Sequence, residues 1–594
     1  MLKAFIHGTD SPYGAELVEL LDERPFAAAP DSSDRDAFQR NTYEQLRVLN
    51  RWAGTGSALI ANRKRLFTAL SFAAIVNPSL FHIAQAHYCV VLSAIRQLGI
   101  PSAALDSAIQ QMDRLTTVGA IIIIEVGIGC SHLAVSTRAV YDAQTDEFVI
   151  TTHGPAASKL ISNVALPGVP KTSIVFAQIW NNDRNCGLFP FVVPIRDGME
   201  ICPGVNVVRH TGDSALRMDY ALVSFDSVRV PRANWLGDGA TIGTDGVFHD
   251  SLGDVDQRLV RSVGSVANAS IAAAAGVAAA CRAAVWTALR FARQRRTMGR
   301  IGTGRTMLDF SNQQERLFGS LAETYVISNL ARHLVDDDVD QAGVSGMSSA
   351  PWAAVNRLAV LTKAITVAGA SDVLRSCRHA SGAHGSLGVN GLRGYEDLTI
   401  AYVSAGGDNQ LILIDIGRDL ASAPRPPRST GALPVSLDSA SQLLELAGFE
   451  ERRQLERATR ELAAADGTGD DLFDRWNPRL TSIIELATTH GRRLALERFI
   501  EDERFAGEDS EVVRALATIY AVRHFGHALS YTLRDDVLAR AWPIVLRNLD
   551  RLLEAFDISP ALVHAPIAQS DYVAAYFAAF ATGGTDVGPA GHAV

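Results

Sequence analysis

Cysteine is scarce in this chain. Its 594 residues include six (Cys89, Cys130, Cys186, Cys202, Cys281 and Cys377). No two form a C-x-x-C pair, and none sits near a histidine at metal-ligand spacing. That argues against a disulfide framework and a zinc cluster, so free thiols in a reducing compartment and no metal site are expected. An excess of positive charge is also missing. The formal net charge is −9, so the molecule as a whole is not drawn to nucleic acid. There is no G-x-S-x-G elbow of a serine hydrolase, no internal repeat of fixed period and no strand–G-x-G-x-x-G–helix fingerprint of a dinucleotide fold. The stretch Met1 to His7 is too short an apolar run for a signal peptide. Gly591-His592-Ala593-Val594 reads as neither a peroxisomal nor a retention address. A cytoplasmic protein is the resulting expectation. The uncharged stretch from Val263 to Cys281 is mostly alanine, too weakly apolar to hold a membrane span, and reads as a buried helix.

What is present is an ordinary globular mix, 47% hydrophobic and 20% charged, enough for about three to five domains. From Gly14 to Gly99 the apolar spacing is helical, with Ser79 to Leu98 reading as one long buried helix that Pro78 starts and Gly99-Ile100-Pro101 stops. Near Thr116 the texture changes. Ile121 to Ile124 is a β-branched run, and 139–142 and 147–151 flank the polar turn 144–146 of a hairpin. Short strands follow at 173–179, 189–195, 205–210 and 220–228. Gln257 to Arg296 reads as one long helix, and Ser311-Asn312-Gln313-Gln314 as a capping box opening a helix to about Val335. Further helices are expected at 354–379 and 408–421. A linker is expected at Pro424 to Ser429, more helices from Leu437 to about Phe580, and a frayed tail from Gly583. The fold class is therefore mainly α with a central β domain. The boundaries are 1–114 for an N-terminal helical domain, 115–240 for the β domain, 241–423 for a helical bundle and 430–594 for a second helical block.

Several segments, taken in order, carry a resemblance. Glu125-Val126-Gly127-Ile128-Gly129-Cys130 is similar to an E-L-G-H-G-S turn, and Lys159-Leu160-Ile161-Ser162-Asn163 to a K-W-I-T-N strand. Ser224 to Arg232 is similar to F-D-x-V-x-V-P, Arg295-Arg296-Thr297-Met298-Gly299 to R-R-x-F-G, and Ser381-Gly382-Ala383-His384-Gly385 to C-G-G-H-G. Taken singly each is bland: a tight turn, a solvated arginine pair, a turn histidine. Their joint order resembles the acyl-CoA dehydrogenase and oxidase superfamily, and the extra C-terminal helices resemble its acyl-CoA oxidase branch.

The resemblance implies an FAD-dependent oxidoreductase, at least a homodimer, with the flavin held between β domain and bundle and completed by the neighbouring subunit. It implies cofactor contacts from Glu125, Gly127, Gly129, Cys130, Ser162, Arg295, Met298, Gly382, Ala383 and Asn409. It also implies a catalytic glutamate just before the last bundle helix, where this chain reads Ser404-Ala405-Gly406-Gly407-Asp408-Asn409. The base position is Gly406, which keeps only its backbone N–H as an oxyanion-type donor. Relatives that carry the base on the long helix match Asn268-Ala269-Ser270, again with no carboxylate. The flavin-facing parts are kept better than the substrate-facing ones. The expectation is thus a flavoenzyme for a substrate other than an ordinary fatty acyl-CoA. That substrate is a nitrogen-containing compound or a carrier-tethered acyl group as in natural-product pathways, with O2 a candidate acceptor. The alternatives are acyl-CoA oxidation with a base relocated to Asp408, Glu396, Asp397 or His384, and a non-catalytic subunit paired with an active paralogue.

Overall fold

A computed structural model describes residues 2–8, 13–27, 34–243, 245–264, 267–336, 356–422, 432–464, 471–503 and 506–581. The expected linker at 424–429 and the frayed tail from Gly583 lie outside the described residues.

The N-terminal region is helical, as its spacing requires. The helix Arg63–Val76 buries Leu66, Phe67, Leu70, Phe72 and Ile75. The stretch read as one helix from Ser79 to Leu98 is continuous but not uniform. Pro78–Ala84 and Ser93–Leu98 are α-helical, and Gln85–Leu92 between them is wound as a π-helix. A π-turn adds a residue per hydrogen-bonded ring, and such turns concentrate at functional sites. Periodicity could not show it, because every residue from Gln85 to Leu92 is buried.

Among the described residues the β region has two main sheets and a two-stranded one pairing Thr241–Ile242 with Phe248–His249. In the larger, Val228–Pro231, Glu147–Thr151, Arg138–Asp142, Lys171–Asn181, Arg184–Asp197 and Glu200–Ile201 lie in that order, and Val118–Ile122 pairs in parallel with Lys171–Asn181. The hairpin around 144–146 is present, with Ala139 opposite Ile150. The smaller main sheet is antiparallel and made of Lys159–Asn163, Tyr220–Phe225 and Val205–Arg209. The strand read as 220–228 is broken at Ser227, whose φ is +53°, and Val228–Pro231 joins the other sheet.

The bundle packs around the helix Ala267–Gln294. This helix is long and apolar enough to cross a membrane, yet its whole apolar window is buried against neighbouring helices. Within the reading 257–296, Val255–Gly264 and Ala267–Gln294 are helical. The capping box also differs. It forms one turn earlier, where Thr306 N–H donates to the Asp309 carboxylate at 2.7 Å, while Phe310 O receives the N–H groups of Gln313 and Gln314. Ser311 is already helical. The bundle continues with Ser311–Asp336, Arg357–Ala380, Leu392–Tyr402 and Asn409–Ser422. The C-terminal block packs on it. One link is the buried pair of Glu323 with His524, 2.6 Å apart.

Candidate active site

A cavity of about 190 Å³ lies where the β domain meets the bundle. Three layers build it. The first is the β wall of Ile121, Ile123, Ile124, Leu160 and Ile161. The second is the N-terminal helix where its α-turns give way to the π-turn, with His82, Gln85 and Ala86. The third is the bundle, with Ala269, Ser270 and the loop 404–408. The strand Lys159–Asn163 carries a bulge between Lys159 and Ser162, and Ile161 in it has φ +62° with half its surface exposed to the cavity. A β-branched residue pays about 1–3 kcal/mol for such a backbone, and strain of this kind concentrates at functional sites.

Behind the β wall lies a buried ion pair. Glu125 accepts from Lys159 Nζ at 3.0 Å, Ser136 N at 2.8 Å, Thr137 N at 2.9 Å and Thr137 Oγ1 at 2.7 Å. Burial pushes Glu125 up, but the Lys159 charge and these bonds outweigh it and hold the carboxyl below its usual range. Burial pulls Lys159 down to about 8 in spite of Glu125. Glu125, expected at the cofactor, therefore spends its carboxylate on folding the loop that carries Gly129, Cys130 and His132. Gly127 is likewise explained by packing. A Cβ there would stand 2.9 Å from the Ala156 Cβ, and its N–H donates to Ala156 O at 2.8 Å. Gly129 has φ +54° with open space at its Cβ position, and Cys130 lines the cavity. Burial and then Asp408 push the Cys130 thiol up, so it stays protonated.

Gly406 and Asp408 both line the cavity. Gly406 and Gly407 have φ of +70° and +99°. Asp408 Oδ1 accepts from Gln410 N and Leu411 N at 2.9 and 3.2 Å, capping the helix that follows. Lys363, buried on Arg357–Ala380, ties this loop down. Its Nζ donates to Gly407 O at 2.5 Å and to Asn409 Oδ1 at 2.8 Å, and burial, opposed by Asp408, lowers it to about 7. Asn409 is thus held by Lys363 and is not in the cavity lining. Gly406 also touches the long helix. Ser270 Oγ donates to Gly406 O at 3.1 Å, and a Cβ on Gly406 would lie 3.7 Å from Ala269 O. Both positions where a carboxylate base was sought therefore share one wall, and neither supplies one.

Of the other relocated-base candidates, Glu396 pairs with Arg378 at 2.5 Å, Asp397 lies 3.8 Å from Arg393 and His384 meets Tyr576 Oη at 2.8 Å. None of them lines the cavity. Arg295, Gly382 and Ala383 gather elsewhere, at the end of the long helix. There Phe291 packs on His384 with ring centroids 5.0 Å apart, and the Arg295 charge helps burial to lower His384. Gly382 has φ +59° and nothing within 4 Å of a Cβ. Met298 and Ile301 project from an adjacent hairpin arm, closed by Thr297 N to Arg305 O at 2.8 Å, and are 81% and 86% exposed. Sequence reasoning missed His82, Gln85, Tyr402 and Lys363. Only Lys363 left a signal, as a lone charge inside an apolar helical run.

These residues fit a flavin. Ser162 Oγ and Asn163 Nδ2 are buried beside the cavity without a hydrogen-bond partner, and unsatisfied polar atoms of this kind call for a ligand. The β wall offers an apolar face, and the open Gly382 cradle lets a phosphate approach backbone N–H groups. Among the described residues no His, Cys, Asp and Glu cluster could hold a metal.

The comparisons with known proteins agree with one another. Residues 266–421 match the family model "Acyl-CoA oxidase, C-alpha1 domain". The human peroxisomal acyl-coenzyme A oxidase 3 is 30% identical over 321 residues, 51% of this chain and 45% of its own length. The Arabidopsis thaliana peroxisomal acyl-coenzyme A oxidase 2 is 24% identical over 97% of this chain and 90% of its own. The chain thus spans about half of the first relative and most of the second. A Caenorhabditis elegans acyl-CoA oxidase-2 bound with FAD, ascaroside-CoA and ATP superposes with TM-score 0.82 over 99% of this chain and 93% of its own at 19% identity. A tomato acyl-CoA oxidase superposes with TM-score 0.80 over 100% and 95% at the same identity. At such identities these structures show the fold, which is the architecture expected. The expected cytoplasmic location is corrected by the same comparison, because the relatives matched are peroxisomal by name.

Proposed function

We propose that this chain is an FAD-dependent oxidoreductase of the acyl-CoA oxidase family, a reading that the match of residues 266–421 and the similarity along most of the chain support, and that it oxidises a substrate other than an ordinary fatty acyl-CoA. The substrate is a nitrogen-containing compound or an acyl group tethered to a carrier. The observation that carries this reading is Gly406. The loop that lines the cavity at the base position has no carboxylate there, and the facing stretch Asn268-Ala269-Ser270 has none either. FAD, when bound, accepts two electrons from the substrate. The chain's own residues do the rest. Ser162 Oγ and Asn163 Nδ2 offer hydrogen bonds to the flavin edge, and the isoleucine wall excludes water. Lys363 holds their loop through Gly407 O and Asn409 Oδ1, and the backbone N–H groups of Gly406 and Gly407 would be the donors for an electron-rich substrate oxygen. Gly382, Ala383 and Arg295 suit a pyrophosphate. They lie apart from the cavity lining, beside an arm that bares Met298 and Ile301, and this supports a homodimer in which a second copy completes the cofactor site.

The test is a visible spectrum of the purified full chain, then anaerobic addition of octanoyl-CoA. An oxidised-flavin band that octanoyl-CoA leaves unbleached is expected. A band that bleaches would overturn the substrate reading in favour of acyl-CoA oxidation by a relocated group, for which Asp408 on the cavity rim is the carboxylate at hand. Gly406→Glu should fold, since its Cβ meets nothing closer than 3.7 Å, at a cost of about 1–2 kcal/mol for a side chain at φ +70°. Gain of bleaching with octanoyl-CoA is the result expected of that variant.

A further inference from the structure

The cavity holds a chain of hydrogen bonds whose direction is fixed at one end. Gln85 Nε2 donates to Ala269 O at 2.7 Å. A backbone carbonyl only accepts, so the amide cannot be flipped, and Gln85 Oε1 faces Tyr402 Oη at 2.5 Å. An amide oxygen also only accepts, so Tyr402 spends its single proton on Gln85. The Tyr402 oxygen must then receive from its other neighbour, His82 Nδ1, 3.1 Å away. His82 therefore carries its proton on Nδ1, and Nε2 is left with a bare lone pair. His82 lines the same cavity as Gly406, and the Ala269 carbonyl that anchors the chain is the one a Gly406 Cβ would approach. The π-turn at Gln85–Leu92 begins at this amide.

We propose that His82 Nε2 is the site's proton acceptor, taking the acidic N–H or C–H proton of the substrate in place of the carboxylate that Gly406 lacks. The proposal rests on the cavity being the substrate site of the proposed function. The substrate's X–H bond breaks and the proton forms a new N–H bond at Nε2, giving an imidazolium. The electron pair stays on the substrate, inside the cavity that Gly406 and Gly407 line. Tyr402 and Gln85 are positioning residues: they hold the ring and its tautomer. Burial holds His82 down at about 4, so at neutral pH the ring is neutral and its lone pair free. The titratable groups packed against the ring are Tyr402 and Tyr220, with centroids 5.8 and 6.4 Å away.

The experiment is nitrogen NMR on the flavin-loaded full chain labelled at histidine, with the His82 ring assigned by its absence in His82→Gln. A protonated Nδ1 and a bare Nε2 at pH 7.5 are expected, and in Tyr402→Phe the two tautomers should mix. A proton on Nε2 in the wild type overturns the proposal. Anaerobic bleaching with octanoyl-CoA, octylamine and octylhydroxylamine is the second readout. With whichever of these the wild type accepts, His82→Gln should keep its flavin and bleach about 100-fold more slowly, the lower range for a positioned base. A rate within about twofold of wild type overturns the proposal, and where the probe is octylamine or octylhydroxylamine it leaves the proposed function standing. If none of the three bleaches the wild type, the NMR result decides the proposal alone, and it is the proposed function that loses support.

Discussion

Glu125→Gln removes one buried charge and almost no volume, so its effect can be worked from the contacts. In the wild type the carboxylate and the Lys159 ammonium are both buried, 3.0 Å apart. At an effective dielectric near 20 that attraction is about 5–6 kcal/mol, set against the desolvation of two ions. Glutamine leaves the ammonium with only Ile123 O and Phe176 O, at 3.1 and 3.0 Å. It also turns an amide N–H₂ toward a group that donates, whichever way the amide is set. Breaking one partner of such a pair costs about 3–5 kcal/mol. The deficit should depend on pH in a definite direction. Lys159 already titrates at about 8 with its partner present, and without Glu125 its folded-state value falls further. Across the interval from that lowered value to the unfolded value of about 10.4, the unfolded chain binds more protons. The variant's stability therefore rises with pH there. Urea unfolding followed by circular dichroism, at pH 7 and pH 9.5, is the assay. Flavin occupancy should drop in parallel, because the loop bearing Gly129 and Cys130 hangs from this carboxylate. Glu125→Gln combined with Lys159→Met should recover most of the loss, since no ion is then left uncompensated. A single variant that loses less than about 1 kcal/mol, or a double variant worse than the single, would refute the reasoning.

Two further outcomes can be checked the same way. Ile161→Asn should raise stability by about 1 kcal/mol, because asparagine tolerates the left-handed backbone that a β-branched residue resists; an unchanged or lower urea midpoint would show that the bulge carries no strain. Asp502 accepts from Asn329 Nδ2 at 2.8 Å and meets His333 Nε2 at 2.9 Å, with Arg332 alongside. Burial pushes its carboxyl up, but these partners outweigh it and hold it at about 2. The folded-state value lies below the unfolded one, so this contribution is present above about pH 4 and is lost as pH falls through 2. Asp502→Asn should accordingly flatten the acid limb of stability between pH 4 and pH 2, and an acid limb as steep as that of the wild type would refute the assignment.

Much of the architecture was legible in order along the chain. Alternation at 139–151 specified a hairpin, and the alanine-rich, uncharged run up to Cys281 specified a buried helix, described from Ala267. The absence of a carboxylate at Gly406 could be read as soon as the flanking residues placed that position. These are local properties, set by side-chain period and residue type, and a linear text carries them. The roles of Glu125 and Gly127 could not be read this way. A motif that looks like a cofactor turn has the same letters whether its carboxylate faces a ligand or Lys159, and only the approach of residues 154–159 decides it. The His82 tautomer is a still clearer case. It depends on Gln85, Tyr402 and Ala269 O, which lie up to 320 residues from His82 in the chain, and on a carbonyl that can only accept. Local sequence sets which groups can donate and which can accept. The tertiary structure alone decides which of them meet, and so on which ring nitrogen the lone pair is left.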